Sequence, residues 1–336
     1  MAKEKEEQQS DESIITSALS KINKEYGAGT IMDFSKKNTL ELERVSTHLP
    51  SLDLILGGGI PKGRMVEIFG VESSSKTTLS LHILAQCQKD GKRVAYIDME
   101  NAMNPEYAKK LGVNMGKLLF SQPSNGNQAL EIAHDLTKTG LVSVIVIDSV
   151  ANLVPVSDTE KTFDSLATIG GKARLLSQAL PQLAITANKT GTIIIFINQV
   201  RDSIAITYGH GPSYTTPGGK ALKFNASIRL QLSVGHPEKR FGKDGCEIKI
   251  RVKKNKTSMP FRETNLFLFY GEGYDYFSDL INTAVAYDFI KRGGAWYEYK
   301  KIKTQGLENL IDELRLKDDY IREIEEFILQ KAKELS

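Results

Sequence analysis

Nine consecutive residues, Gly70-Val71-Glu72-Ser73-Ser74-Ser75-Lys76-Thr77-Thr78, carry the chemistry of a phosphate-binding loop with one substitution. The general pattern is G-x-x-x-x-G-K-[ST]. Gly70, Lys76 and Thr77 stand at its spacing, and Ser75 stands where the second glycine belongs. Backbone N–H groups in such a loop face phosphate oxygens. Lys76 would neutralise β- and γ-phosphates, and the Thr77 hydroxyl would ligate magnesium. This chemistry is that of a nucleoside triphosphatase. If position 75 needs a positive φ, a side chain there is strained by about 1–3 kcal/mol. Fully expressed in nucleotide binding, that is roughly 5- to 150-fold in affinity. The Ser75 hydroxyl is a candidate phosphate donor that recovers part of the loss.

Further polar residues fall where they would join this loop. Asp148 closes the apolar run Val144-Ile145-Val146-Ile147 and fits the second nucleotide motif, in which an aspartate orients magnesium through water. Glu100 follows the run ending at Asp98. It is placed either to polarise an attacking water or as an ordinary surface glutamate. Asn198-Gln199 ends another apolar run, and an amide there could sense a γ-phosphate. Behind it, residues 201–219 are rich in Gly, Ser and Thr, with Tyr208, His210 and Tyr214. That is long for a connection, and a ligand-ordered segment is expected. Residues 163–171, ending Ile169-Gly170-Gly171, form a second such loop. Arg174 and Arg201 flank the two loops and could meet nucleic-acid phosphates. Between residues 238 and 256 there are eight Lys/Arg against three acidic residues. Such a run reads mostly as a solvated face, with Lys254-Asn255-Lys256 as its functional end.

The elements that must position these residues are legible as well. Residues 65–69 read as a buried strand and residues 77–85 as a helix, with Leu81, Leu84 and Ala85 at helical spacing. Residues 93–98, 144–148 and 192–197 are strand-like and continuously apolar, as strands covered on both faces should be. Helical stretches between them imply βαβ crossovers and a mostly parallel sheet, whose ligands bind at the carboxyl edge. Residues 227–234, 246–253 and 265–270 lie closer together and suggest antiparallel extensions. At the other end, residues 1–12 look disordered. Ile14, Ile15, Ala18, Leu19, Ile22 and Tyr26 then mark one face of a helix ended near Gly27 and Gly29. That face needs a partner, either this core or a neighbouring subunit. From about residue 278 the pattern turns helical and charged around the single Trp296, a small α-rich second domain. The division is 1–37, 38–276 and 277–336.

Composition narrows the class. The chain has 336 residues, 40% hydrophobic and 25% charged, enough for one large domain with small appendages. Its net charge of +3 is too mild to establish nucleic-acid binding. Cys87 and Cys246 form no metal or redox motif, and a reduced cytoplasm fits best. No apolar run approaches the roughly 18 residues of a membrane span. The first twelve residues have no apolar signal-peptide core.

Taken together, the motifs resemble the bacterial RecA recombinase family along almost the whole chain. The carriers are Gly57-Gly58-Gly59-Ile60-Pro61-Lys62-Gly63-Arg64, Glu72-Ser73-Ser74, Tyr96-Ile97-Asp98 with Glu100, and Asn104-Pro105-Glu106-Tyr107-Ala108. Ser121-Gln122-Pro123, Phe196-Ile197-Asn198-Gln199-Val200-Arg201, Gly218-Gly219-Lys220-Ala221-Leu222-Lys223-Phe224 and Gly294-Ala295-Trp296-Tyr297 extend it. The resemblance implies an α/β fold: a P-loop NTPase core of RecA type with a mostly parallel central sheet, an N-terminal helix and a small C-terminal α/β domain that gates DNA. It implies ATP and Mg2+ as cofactors and a helical homo-oligomeric filament on single-stranded DNA. That filament pairs homologous double-stranded DNA and acts as a co-protease for a LexA-type repressor. On that analogy Glu100 activates water, Gln199 couples the γ-phosphate to the DNA loops, and Tyr107 stacks on adenine. Lys254 and Lys256 reach the ATP of the adjacent subunit. Residues 163–171 and 201–217 are the DNA loops, with Ile204 as the wedge between base triplets, and the N-terminal helix docks on a neighbour.

The departures are specific. Ser75 replaces the loop glycine, and Asn101 and Asn104 stand where the family commonly has His and Asp. Asn104 is expected to accept a hydrogen bond from adenine through its amide oxygen. Pro181 and Ser203 stand where basic residues are common. The closing Lys331-Ala332-Lys333-Glu334-Leu335-Ser336 lacks the acidic tail of many relatives, which predicts weaker self-inhibition. Against the active recombinase stand an ATP-binding DNA filament scaffold throttled by Ser75 and a hexameric helicase. The intact Lys76, Asp148, Glu100 and Gln199 disfavour the first of these. The N-terminal helix and two DNA-loop motifs disfavour the second.

Overall fold

The apolar runs become neighbouring strands of one nine-stranded sheet. In chain order these are β1 (Met65–Gly70), β2 (Arg93–Asp98), β3 (Leu118–Ser121), β4 (Val142–Asp148) and β5 (Ile193–Gln199). They are followed by β6 (Ile228–Arg240), β7 (Lys243–Asn255), β8 (Glu263–Phe269) and β9 (Gly273–Tyr274). Their order across the sheet is β9-β8-β7-β6-β1-β5-β4-β2-β3. From β6 to β3 the strands run parallel, and β7, β8 and β9 continue the sheet antiparallel. The helices are α1 (Ala2–Tyr26), α2 (Pro50–Leu56), α3 (Lys76–Lys89), α4 (Pro105–Lys110), α5 (Gly126–Lys138), α6 (Gly171–Thr190) and α7 (Gly219–Asn225), then α8 (Tyr276–Ala286), α9 (Leu307–Arg315) and α10 (Asp318–Glu334). This computed structural model describes residues 2–27, 30–31, 42–159, 170–202 and 214–335.

Burial on both sheet faces explains the continuous apolar pattern. Successive side chains of β4 alternate sides. Val144 and Val146 join Leu79 and Ile83 of α3 in one buried cluster. Ile145 and Ile147 join Leu130 of α5 and Leu176 and Leu180 of α6 in the other. The parallel strands therefore end at a common edge, and the register aligns their last residues. Gly70 of β1 pairs with Gln199 of β5, and Asp98 of β2 with Asp148 of β4. No helix among the described residues is long and apolar enough to cross a membrane.

Two expectations are corrected. The start of the chain is helical rather than disordered, because α1 begins at Ala2. Its Ala, Lys, Glu and Gln residues are good helix formers that need no buried face to adopt this backbone. The chain divides into Met1–Leu42, which holds α1, and Glu43–Ser336, which holds everything else. Secondly, the C-terminal part is α/β, as the family resemblance implies, rather than α-rich, as its pattern alone suggests. Three antiparallel strands, Lys291–Gly293, Trp296–Tyr299 and Ile302–Gln305, lie between α8 and α9. Each is too short for its alternation to stand out, though Tyr297 and Tyr299 are buried and Trp296 and Glu298 exposed. These strands share a core with α8, α9 and α10 that also takes in Leu54 of α2. The Asp279 carboxylate of α8 accepts the Ser51 N–H at 3.0 Å, capping the first turn of α2. Burial pushes the Asp279 carboxyl up to about 7, opposed by its hydrogen bonds to Ser51.

Candidate functional site

The phosphate-loop sequence folds as its strand–loop–helix setting demands. Gly70 leaves β1 where a Cβ would lie 2.4 Å from the Leu232 carbonyl oxygen and 2.5 Å from Ser74 Oγ, so only glycine fits. Position 75 does have a positive φ, +67°, as the residue immediately before α3. Ser73 is likewise left-handed at +57°. The Ser75 hydroxyl, the candidate phosphate donor, lies 3.0 Å from the Tyr274 hydroxyl, because β9 brings that phenol beside the loop. Val71, Glu72 and Ser73 are exposed, Ser74 and Lys76 buried. Lys76 Nζ donates to the Val71 carbonyl at 2.6 Å and to Ser74 Oγ at 3.3 Å. Burial lowers the Lys76 pKa, while Asp148, Glu100 and Glu72 nearby favour its charge.

The two residues expected to orient magnesium are in direct contact. Thr77 Oγ1 donates to Asp148 Oδ2 at 2.8 Å, and the buried Tyr96 hydroxyl donates to the same oxygen at 2.6 Å. Burial raises the Asp148 pKa, and these two hydrogen bonds oppose the rise. Sequence reasoning found Asp148 but not the role of Tyr96, which faces it from β2 across two paired strands. Among the described residues no cluster of three acidic, His or Cys side chains could hold a metal on its own. One carboxylate beside one hydroxyl and a lysine fits magnesium carried by substrate phosphates.

Glu100 belongs to this edge rather than to the open surface. Asp98, buried at the end of β2, accepts the N–H groups of Glu100, Ala102 and Met103 and the Gln122 amide. That carboxylate shapes the turn presenting Glu100. Glu100 Oε1 accepts the Ser149 hydroxyl and, at 3.2 Å, Gln199 Nε2. Two residues beyond Gln199, Arg201–Asp202 pairs antiparallel with Tyr214–Thr215 and closes the base of the long loop. Asn198 reaches the same region by donating to the Pro217 carbonyl at 3.1 Å and to Glu67 at 2.9 Å.

Asn104 has a structural role that the sequence reading did not include. Its Oδ1 accepts the N–H groups of Glu106 and Tyr107 at 2.9 and 3.1 Å, so it caps α4. Asn followed by Pro is an N-cap and first-turn pair, the signal that would have revealed this. Tyr107 is half-buried, and its hydroxyl lies 3.0 Å from Thr78 Oγ1.

Lys254 and Lys256 are held elsewhere. Lys254 pairs with Arg229, which pairs with Glu67, three residues or about 10 Å before Gly70 along β1. Lys254 Nζ donates to the Lys223 and Phe224 carbonyls, and Lys256 Nζ to that of Phe224, at the C-terminal end of α7. Burial, with Lys256 and Arg229 beside it, pushes Lys254 down to about 8.

Of the residues expected to meet DNA, Ile169, Ile204 and Tyr208 lie outside the described residues, as does the side chain of Arg201. Gly170 precedes α6, Gly171 opens it, and Arg174 is exposed in its first turn. Gly218 is buried at φ +93°, and a Cβ would lie 2.7 Å from Leu176 of α6. This glycine lets α7, after one loop, pack against α6, after the other.

Known proteins decide the family. Residues 13–275 match the RecA N-terminal domain and residues 278–333 the RecA C-terminal domain. The chain belongs to the RecA family. It is similar to Protein RecA of Rickettsia massiliae (strain Mtu5), 43% identical over 97% of this chain and 95% of the relative. The corresponding values for Protein RecA of Thermus aquaticus are 44%, 95% and 94%. For that of Caulobacter sp. (strain K31) they are 43%, 96% and 90%. RecA membership makes the chain a DNA recombination and repair protein, a DNA-dependent ATPase using ATP and Mg2+ that works in DNA-bound filaments. No observation supports the alternative of a scaffold with impaired hydrolysis.

Proposed function

We propose that, within the RecA activity, one catalytic site is shared between adjacent subunits and wired to DNA through Gln199. Bound ATP and Mg2+ supply the phosphoanhydride and a Lewis acid on its phosphate oxygens. The 70–78 loop and Lys76 hold the phosphates, and Thr77 and Asp148 orient the metal, Asp148 through water. Glu100 accepts the proton of the attacking water. Tyr107 stacks on the base, and α4, capped by Asn104, sets its angle. Lys254 and Lys256 exchange the carbonyls of α7 for a neighbour's γ-phosphate, stabilising charge as the bond breaks. α1 docks on that neighbour.

DNA meets residues 163–171 and 201–217, where Gly170, Gly171, Arg174, Arg201, Ile204, Tyr208, Gly218 and Gly219 line or position the contact. Single-stranded DNA is gripped first, and double-stranded DNA is then sampled by base pairing, so binding weakens with salt. The 277–336 region gates entry of duplex DNA. A LexA-type repressor is a further partner, and the cytoplasm is the compartment, in keeping with two buried free cysteines.

One observation carries this reading: the 3.2 Å bond from Gln199 to Glu100, two residues before the ribbon that closes the long loop. Loss or gain of a γ-phosphate changes the partners of Gln199, and the loop feels the change. Mixing subunits tests the shared site. Glu100→Gln subunits and Lys254→Ala/Lys256→Ala subunits are each expected to be inactive with single-stranded DNA. Mixed one to one, a head-to-tail filament regains about one intact site in four. No recovery on mixing would exclude a site shared between subunits.

A further inference from the structure

We infer that Tyr274 is a positioning residue of the phosphate loop, which holds Ser75 through its hydroxyl and so makes a serine workable at a glycine position. The inference rests on the reading of residues 70–78 as the ATP site. Ser75 sits at φ +67° and ψ 18° with no side-chain bond capping α3. A side chain in that conformation is strained, and such strain persists only where neighbours fix the geometry. Among the described residues its hydroxyl meets the Tyr274 hydroxyl at 3.0 Å, from a residue 199 positions away.

Tyr274 is itself held firmly. It pairs with Leu268 of β8, and its ring packs on the buried cluster beneath α3. The His82 ring meets it edge-on, with centroids 5.8 Å apart. Gly273, at φ +107°, brings β9 so close that a Cβ would lie 2.9 Å from Leu111 Cδ2. Ser75, Thr78 and His82 follow one another at spacings of three and four, one face of a helix. Tyr274 meets the first and last of these, and Tyr107 meets Thr78. The start of α3, which aims the loop N–H groups, is thus fastened by two phenols at successive turns. Ser75 contributes through its place in the backbone, with its hydroxyl turned to Tyr274 rather than to phosphate.

The test is a substitution cycle on the full-length protein: native, Tyr274→Phe, Ser75→Gly and the double variant, with Ser75→Ala beside them. Phenylalanine keeps the ring packing and removes only the hydroxyl. The probe is N-methylanthraniloyl-ATP with Mg2+, titrated by fluorescence, and steady-state ATPase with single-stranded DNA is measured alongside. Tyr274→Phe is expected to weaken the analogue about three- to tenfold with Ser75 present, the value of one hydrogen bond. The change should fall on KM rather than kcat. In the Ser75→Gly background the same substitution should change affinity by less than about twofold, because glycine needs no anchor there. Ser75→Ala, strained and without a hydroxyl, should bind more weakly than native. Equal losses in both backgrounds, or no loss from Tyr274→Phe with Ser75 present, would overturn the inference. Failure of the native protein to bind the analogue would instead overturn the ATP-site reading on which it rests.

Discussion

The loop edge and the lysine corner are the two regions proposed to meet phosphate, but only at the first are the polar groups bonded to one another. At the edge, Lys76, Thr77, Asp148, Glu100 and Gln199 already bond to the loop or to one another. At the corner, Lys254 and Lys256 are charged groups resting on the carbonyls of α7. Carbonyls at a helix end are good interim partners for cations. They carry only partial charge, so a triphosphate can displace them. On the proposed function, such a subunit binds nucleotide alone and reaches full rate only when another subunit's corner meets its edge.

Five measurements break or sharpen this contrast. The largest effect is expected at the edge, where Glu100→Gln should lower DNA-stimulated turnover by about 10²- to 10⁴-fold. Analogue binding should survive, because Glu100 bonds no residue of the loop. Loss of binding as well would make Glu100 a structural support. Next comes the corner: Lys254→Ala/Lys256→Ala should cost about 10²-fold or more in filament ATPase. Analogue affinity at low protein concentration should stay within about twofold of native, because the corner belongs to a neighbour's site. A matching loss of binding by dilute subunits would erase the distinction between the two regions.

The third measurement uses the ionisation of the corner. Lys254 is pushed down to about 8, so it is charged below that pH and neutral above it. ATP-dependent assembly should therefore weaken between pH 7 and pH 9, by up to about tenfold. Lys254→Arg, which stays charged, should flatten the profile. An unchanged slope in that variant would assign the pH dependence to another group.

Two smaller effects follow. Asn104→Ala removes the cap of α4 and is expected to cost about 1 kcal/mol locally. It should raise KM for ATP several-fold through Tyr107, with kcat nearly constant. Asn104→Asp keeps the cap and should restore KM. If aspartate fails to restore it, the cap is not what Asn104 contributes. Asp279, in neither region, serves as a control. Its carboxyl is pushed up to about 7, so the folded protein holds a proton that the unfolded chain releases near pH 4. Stability should fall as pH rises from about 4 to 7 and then level off. Asp279→Asn should remove that slope and raise stability at pH 8 by about 1–2 kcal/mol, read by denaturant unfolding. A slope that persists in the variant would exclude Asp279 as its source.

Much of the site was legible because its residues stand at the ends of apolar runs. Gly70, Asp98, Asp148 and Gln199 close four parallel strands, and parallel strands must end together. What stayed hidden were the partners of those residues. Tyr96 looks like one more apolar position in β2 until β4 brings Asp148 to its hydroxyl. Tyr274 has no motif and no periodicity to mark it. The cap that Asn104 makes went unread because an amide oxygen has several uses. The C-terminal strands escaped notice because three or four residues carry too little alternation. The start of α1 was misjudged because charge was weighed above helix propensity.

The sequence by itself determined the α/β class, the phosphate loop, the carboxylates of the edge and the membership of a family. These follow from local pattern and strand-end position, which short-range chemistry controls. Tertiary structure alone decided which polar group meets which: Ser75 with Tyr274, Thr77 with Asp148, Glu100 with Gln199. A hydrogen bond acts over about 3 Å. Only the assembled sheet brings residues far apart in the chain within that distance.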